Sequence, residues 1–130
     1  SGSGPHDRDE TILEHKPFLV LSDFLTRQGI AVLRYDDRGT AQSSGSFAAS
    51  TTEDFAQDAR GALAFLRAQS QIHPQRLALI GHSEGGLIAP MVAANDESLR
   101  ALVLLAAPGV PGEAILKKQT YDLPRAAGLD

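Results

Sequence analysis

The sequence contains no cysteine, which excludes disulfide frameworks and thiolate metal sites and leaves the cellular compartment open. It also has no block of basic residues, and its formal net charge is −4. This balance argues against nucleic acid or an anionic membrane surface as the main partner. Its longest apolar runs are far shorter than the roughly 20 residues that a membrane-spanning helix needs. We therefore expect neither nucleic acid nor a membrane as a partner.

The composition that remains is typical of one globular domain. The chain has 130 residues, of which 42% are hydrophobic and 22% are charged. Helices are predicted over 16–29, 51–66, 86–95 and 113–119, and strands over 30–36, 77–81 and 101–107. The strands are continuous apolar runs, which are typical of a parallel sheet buried on both sides. The pattern predicts an α/β fold, a parallel sheet with helices on both faces.

Residues with strong positional preferences mark two of the helices. Pro17 suits a first helical turn, and Gly29 suits the position just after a last one. Thr51 and Asp54 approximate a capping box, in which two residues at a helix start exchange hydrogen bonds between side chain and backbone. The stretch 37–50 is rich in glycine and serine, and it predicts a loop.

A serine stands at the junction between a predicted strand and a predicted helix. Gly81, His82, Ser83, Glu84 and Gly85 fit the pattern G-x-S-x-G at this point. In parallel sheets, ligands bind outside the carboxyl ends of the strands. A sharp turn there exposes the serine hydroxyl, and small neighbours let the strand and the helix approach closely. Ser83 is therefore the candidate nucleophile of an acyl-transfer reaction.

The same turn offers hydrogen-bond donors, because free N–H groups at a helix N-terminus favour negative charge. The N–H of Glu84 can donate to the oxyanion of a tetrahedral intermediate, while its side chain is expected to face solvent. An alternative is a non-catalytic module that binds a nucleotide or phosphate at this helix N-terminus. Against that alternative, the dinucleotide fingerprint requires glycine where Ser83 stands.

Three segments together resemble the α/β-hydrolase superfamily, and more narrowly the bacterial serine hydrolases grouped with serine aminopeptidases and prolyl-oligopeptidase-like esterases. They are SGSGPHDRDE at 1–10, LRYDDRGTAQSSG at 33–45 and LALIGHSEGG at 77–86. The resemblance implies an enzyme, without cofactor or metal, that cleaves carboxylic ester, thioester or peptide-like amide bonds through an acyl-serine intermediate. An inactive hydrolase-like scaffold is the further alternative.

The resemblance also implies roles for two loops. It places residues 1–5 in the turn after the third strand of the family fold, with the N–H of Ser3 as a second oxyanion donor. The opening SGSG equally resembles a Gly/Ser linker, but the PHDRDE that follows matches the family loop. Asp37 and Arg38 are expected to hold loops together. Ala41 replaces a glycine of the family's turn, so the resemblance does not determine the backbone conformation of this turn.

No histidine follows His82, although the family order places the acid and then the histidine base after the serine. His82 itself is next to Ser83, and side chains of neighbouring residues diverge on a tight turn. His73 precedes its strand and is expected at the opposite edge of the sheet. His6 and His15 are on the correct edge but are more typical of solvated loop residues.

This absence predicts a partial α/β-hydrolase fold, truncated at both ends, that does not turn over substrate well alone. Residues 1–130 then form a single core domain, with 111–130 as the start of a lid. The resemblance implies a missing strand between 30–36 and 77–81, and hence a gap, a rearranged sheet or a second chain. Open sheet edges would allow self-association. The predicted partner is a small-molecule or peptide acyl substrate, and the charge run at 7–10 predicts a solvated or salt-bridged loop.

Overall fold

The structure is a computed structural model that describes residues 1–129. Helices and strands alternate along most of this part of the chain. In order, they are α1 (Pro17–Arg27), α2 (Thr52–Arg67), β1 (Leu77–His82), α3 (Gly85–Ala93), β2 (Leu99–Leu105) and α4 (Gly112–Ala126). The two strands are parallel and are connected through α3, which confirms the predicted α/β class.

The parallel pairing of β1 and β2 gives the sheet two distinct faces. Leu79 lies beside Leu102, and Ile80 lies beside Val103. Because side chains alternate along a strand, the first pair faces one side and the second pair faces the other. Helix α3 packs against both strands, and α2 packs against α3. The carboxyl ends of both strands meet at one edge of the sheet.

The core lies between α2, α3 and the face of the sheet that carries Leu79. Its buried side chains are those of Ala56, Ala59, Leu63, Leu77 and Val92. Helix α2 begins with the predicted capping box: the Asp54 N–H donates to the Thr51 hydroxyl, and the Thr51 N–H donates to the Asp54 carboxylate. The capping residue predicted after α1 is also confirmed, since Gly29 has a φ of 80°.

The predicted strand at 30–36 pairs with neither strand of the described chain. A cavity of about 300 Å³ lies between this segment and β1, with 30–35 and 77–81 among its lining residues. We call this cavity the slot. A strand requires a hydrogen-bonded neighbour, and none is within reach here, so the segment remains outside the sheet. The strand prediction was therefore wrong, and the alternative prediction of a gap describes what is observed.

Strand β2 is displaced from its prediction at both ends. It runs from Leu99 to Leu105, whereas 101–107 was predicted. The cause of the early end is Ala106, whose φ of 48° is incompatible with a continued strand. At the start, Leu99 pairs with Leu77, so the pairing with β1 extends β2 beyond its purely apolar part.

The last helix is longer than predicted. Helix α4 continues through Pro124 to Ala126, whereas the predicted helix ended at 119. Proline costs a helix one backbone hydrogen bond, which an exposed helix near its end can replace with water. Lys117 pairs with Glu113 and Lys118 with Asp122 along the exposed side of this helix. Asp130, the last residue of the predicted lid, lies outside the described residues.

Apolar surface stays exposed on the second face of the sheet. Helix α1 covers this face only near the carboxyl ends of the strands. There the ring of Phe18, at the start of α1, meets the His82 ring edge-on. Ile80 and Val103 remain 39% and 44% exposed. Helices therefore lie on both sides of the sheet, but they cover the two sides unequally. Within residues 1–129, the helices are too short or too polar to cross a bilayer.

Leu63→Ala is predicted to lower the free energy of unfolding of the 130-residue chain by about 3 kcal/mol, because truncation leaves a cavity in the core. Leu63 is 2% exposed, whereas Phe65, on the same helix, is 57% exposed. Phe65→Ala is therefore the matched control, with an expected loss below about 1 kcal/mol. Urea unfolding followed by far-UV circular dichroism measures both. Equal losses would contradict this placement of the core.

Candidate active site

The turn between β1 and α3 holds Ser83 in a strained conformation. Ser83 has a φ of 51°, in the left-handed region that a residue with a side chain seldom adopts. Its N–H donates to the Leu105 carbonyl at 2.9 Å, and its carbonyl accepts from the Gly86 N–H at 2.8 Å. The first bond ties the turn to the end of β2, and the second ties it to α3. Ser83 thus lies at the carboxyl edge of the sheet, as predicted.

Three glycines allow the backbone segments around Ser83 to touch. A Cβ atom on Gly81 would lie 2.1 Å from the Gly85 carbonyl oxygen, and one on Gly86 would lie 2.4 Å from the Ala107 Cβ. A Cβ on Gly85 would lie 2.8 Å from the Ser1 carbonyl oxygen. These distances leave no room for any side chain. The structure thus gives the physical reason for the small residues that surround the serine.

At this turn, one backbone N–H has no acceptor among residues 1–129. The N–H groups of Ser83, Gly85 and Gly86 all donate to backbone carbonyls. The N–H of Glu84, which directly follows the serine, donates to none. Within the same residues, the Ser83 hydroxyl also has no hydrogen-bond partner. A donor and a hydroxyl are therefore both free at the positive end of α3.

The first residues of the chain are bonded to this turn. The Ser1 carbonyl accepts from the Gly85 N–H at 2.8 Å. The Ser1 hydroxyl donates to the Asp37 carboxylate at 2.8 Å, so Asp37 holds two loops together as the resemblance implied. The opening segment is thus packed against the fold, in contrast to a flexible Gly/Ser linker.

Gly2 is the part of this loop that reaches Ser83. A Cβ on Gly2 would lie 3.3 Å from the Ser83 Cβ. The Gly2 N–H donates to Oε1 of Glu10 at 3.1 Å. The next N–H, that of Ser3, has no acceptor among the described residues. The loop of Ser3 therefore lies beside Ser83, and the Ser3 N–H is free to donate a hydrogen bond there.

Arginine–aspartate pairs hold the loops around the turn. Asp36 is 3% exposed, and its carboxylate accepts from the Arg8 guanidinium at 2.6 and 3.0 Å. The hydrogen bonds from the Arg8 side chain, followed by backbone N–H groups of Arg8 and Gln42, hold the pKa of Asp36 well below its usual range. Arg38 donates to Asp58 of α2 at 2.6 and 2.7 Å, which confirms its expected role in holding a loop.

His82, the histidine nearest to Ser83 in sequence, is bonded elsewhere. Its Nδ1 lies 2.8 Å from Oε1 of Glu10, and its ring meets the edge of Phe18. The prediction that neighbouring side chains diverge on this turn agrees with these contacts. His82 is therefore a structural partner of Glu10 in this arrangement.

The other three histidines are also occupied in loops or lie away from the turn. His6 Nε2 lies 3.2 Å from the Ser3 carbonyl oxygen. His15 forms a short backbone bridge with Ile12. His73 precedes β1, at the opposite edge of the sheet from Ser83, as predicted. Among residues 1–129, no group of three histidine, aspartate or glutamate side chains is arranged to hold a metal ion.

Two contacts of the site were missed by sequence reasoning. Glu10 belongs to the charge run at 7–10, for which a solvated loop was one reading, yet it is 3% exposed with a φ of 50°. The Glu84 side chain, expected in solvent, is half-buried and accepts from the Thr52 hydroxyl at 2.9 Å. Each contact joins residues far apart in the chain, so no local pattern signals it.

A family model described as "Serine aminopeptidase, S33" matches residues 16–123, a range that includes the Ser83 turn. The chain belongs to the serine aminopeptidase S33 family. This assignment places it in the α/β-hydrolase superfamily, as the resemblance implied, and the parallel sheet with its helices agrees with that fold.

Three relatives of this S33-family chain show how far the likeness extends. The chain is 30% identical over 118 residues to Esterase EstD of Thermotoga maritima, which covers 91% of the chain and 28% of that protein. It is 28% identical over 137 residues to the putative hydrolase YtaP of Bacillus subtilis strain 168, and this match covers 94% of the chain and 46% of YtaP. It is 29% identical over 112 residues to the uncharacterized protein YfhR of Escherichia coli O157:H7, and this match covers 78% of the chain and 38% of YfhR. The chain thus spans less than half the length of these relatives.

Gly81→Ala is predicted to destabilise this S33-family chain by at least about 2 kcal/mol, because the new methyl group would overlap the Gly85 carbonyl. Gly61→Ala in α2 is the matched control: its Cβ would meet nothing within 4 Å. There, alanine should add about 0.5–1 kcal/mol through its higher helix propensity. Urea unfolding measures both variants. An unchanged free energy of unfolding for Gly81→Ala would show that the turn can accommodate a methyl group.

Asp36→Asn tests the ion pair with Arg8. An unfolded aspartate titrates near pKa ~3.9, and the folded value is lower, so the carboxylate stabilises the fold above about pH 4 and this contribution is lost as the pH falls further. We expect a loss of about 2 kcal/mol at pH 7. We also expect a smaller loss of stability than in the wild type on going from about pH 5 to pH 2.

Urea midpoints measured across this pH range test the prediction. Asp23→Asn in α1 is the control, because this aspartate pairs with Arg27 while 58% exposed and should change stability little. Parallel acid curves for Asp36→Asn and the wild type would mean that the Asp36 carboxylate contributes nothing specific.

Proposed function

We propose that Ser83 is the nucleophile of a serine hydrolase that cleaves carboxylic ester, thioester or peptide-like amide bonds. The observation that carries this proposal is the free Ser83 hydroxyl on a left-handed turn between β1 and α3. Such a strand-to-helix turn is the nucleophile elbow of α/β-hydrolases. The family match and the esterase named among the relatives support the same reaction class.

The chemistry follows the acyl-enzyme route. The Ser83 oxygen attacks the substrate carbonyl carbon while its proton passes to a base. The tetrahedral intermediate then collapses, and the alcohol, thiol or amine leaves with that proton. Water attacks the acyl-serine in the same manner and releases the carboxylic acid and the free serine.

The N–H groups of Glu84 and Ser3 are the proposed oxyanion donors. Neither has an acceptor among residues 1–129, whereas the N–H groups of Gly2, Ser83 and Gly85 are occupied. The Glu84 N–H lies at the positive end of α3, and Ser3 follows Gly2, which touches Ser83. Loss of one such donor typically raises the barrier by about 3–4 kcal/mol.

The acid and the base are proposed to come from parts of the whole protein beyond these 130 residues. His82 is bonded to Glu10, and the other histidines are not bonded to Ser83 in the described chain. The greater length of the relatives supports this view. The 130-residue chain is then expected to keep the turn but lack efficient turnover. Residues 111–130 would begin the lid that selects the substrate.

The occupied N–H groups also weigh against a phosphate site at the start of α3. A phosphate at a helix N-terminus accepts from several backbone N–H groups. Here the N–H groups of Gly85 and Gly86 already donate to the carbonyls of Ser1 and Ser83. The single free N–H of Glu84 suits one developing charge, which favours acyl transfer over nucleotide binding.

A fluorophosphonate probe applied to the full-length protein tests the proposal, because it reacts only with an activated serine. We expect labelling of the wild type and none of Ser83→Ala. Ser44→Ala is the matched control, since Ser44 is an exposed loop serine and its loss should leave labelling unchanged. Intact-protein mass spectrometry counts the attached probe.

Unchanged labelling of Ser83→Ala would reject Ser83 as the nucleophile. An unlabelled wild type that binds nucleotide would instead support the phosphate-binding module. An unlabelled wild type without nucleotide binding would point to an inactive scaffold.

A further inference from the structure

We propose that Glu10 is a positioning residue that holds the two oxyanion donors in register with each other. This inference rests on the proposed function, because it concerns the N–H groups of Ser3 and Glu84. Ser3 lies in the first loop, whereas Glu84 follows β1, so the two donors come from separate parts of the chain. Something must fix the distance between them.

One oxygen atom of Glu10 joins these two parts. Its Oε1 accepts from the Gly2 N–H at 3.1 Å and lies 2.8 Å from Nδ1 of His82. Gly2 directly precedes Ser3, and His82 directly precedes Ser83. The carboxylate therefore links the loop of one donor to the turn of the other through two short contacts. The same carboxylate oxygen thus accepts from a backbone N–H and faces a ring nitrogen that can donate to it.

Burial makes these two bonds stronger and their geometry better defined. Glu10 is 3% exposed, and hydrogen bonds to a charged acceptor shielded from water are stronger than neutral ones. The Phe18 ring packs on the His82 ring at an interplanar angle of 87°. The imidazole is thereby held between Phe18 and Glu10, and the His82 backbone at the turn is held with it.

The backbone of Glu10 indicates that its side chain is the reason for its presence. Glu10 has a φ of 50°, where glycine fits without strain and a glutamate does not. The conformation is kept by a turn in which the Glu10 N–H donates to the Asp7 carbonyl at 3.0 Å. A strained residue with a buried carboxylate is expected where the carboxylate itself has a task.

Glu10→Gly in the full-length protein separates a positioning role from a purely structural one. Glycine relieves the backbone strain while it removes the carboxylate, so the variant is expected to fold. With p-nitrophenyl acetate as the ester, we expect kcat to fall by about 10- to 100-fold, because a small misplacement of catalytic groups costs that much. KM should stay within about threefold, since the donors act mainly on the transition state.

Glu10→Gln keeps an oxygen that can accept from both N–H groups, so kcat should remain within about threefold of the wild type. Asp96→Ala is the structural control. Asp96 is also a hydrogen-bonded carboxylate, which accepts from Arg67 and Ser98 near the amino end of β2. Its loss should lower the melting temperature while kcat at 25 °C is unchanged.

The outcomes distinguish this inference from the proposed function. If Ser83→Ala abolishes both labelling and turnover while folded Glu10→Gly keeps the wild-type kcat, the Glu10 inference alone is wrong. If Ser83→Ala retains both, the proposed function is wrong and the Glu10 inference fails with it. Should Glu10→Gly not fold, Glu10→Asp replaces it, because its carboxylate is one methylene too short to reach both the Gly2 N–H and Nδ1 of His82. A wild-type kcat for folded Glu10→Asp would then overturn the inference.

Discussion

The contact between Gly81 and the Gly85 carbonyl sets the geometry of the turn that carries Ser83. Strand β1 and helix α3 approach so closely there that not even a methyl group fits between them. The chain must therefore reverse within two residues, and Ser83 takes the left-handed conformation that this reversal requires. The buried contacts of α3 with α2 and the sheet oppose relaxation of that strain. Core packing and the exposure of one hydroxyl are in this way linked.

A second constraint brings distant parts of the sequence to the same point. The loop at the start of the chain is held by Ser1, which accepts from the Gly85 N–H and donates to Asp37, and by the carboxylate of Glu10. The Arg8–Asp36 pair joins the same loop to the segment at 30–36. Polar contacts thus assemble the site on a scaffold that apolar contacts hold, and the two kinds of interaction depend on different residues.

Features written in local patterns could be predicted from the sequence, and features made by distant contacts could not. The capping box at Thr51 and the turn at Ser83 each depend on a few consecutive residues, and both were found. The strand at 30–36 was wrong because a strand exists only beside a neighbour, which apolar composition cannot supply. Glu10 looked like one charge in a hydrophilic run, because its burial depends on Gly2 and His82. The last helix was predicted to end at 119, although an exposed helix can tolerate Pro124 near its last turn.

The slot has a consequence for how stability is distributed over the molecule. Among residues 1–129, the edge of β1 that faces it and the backbone at 30–35 have no ladder partners, whereas the amides of α2 and α3 lie in a continuous packed unit. Local opening costs least where backbone groups already face a cavity, so amide hydrogens along the slot should exchange with solvent long before those of the α2–α3 unit. The chain then consists of one slowly exchanging half and one labile half, and the Ser83 turn stands on the boundary between them.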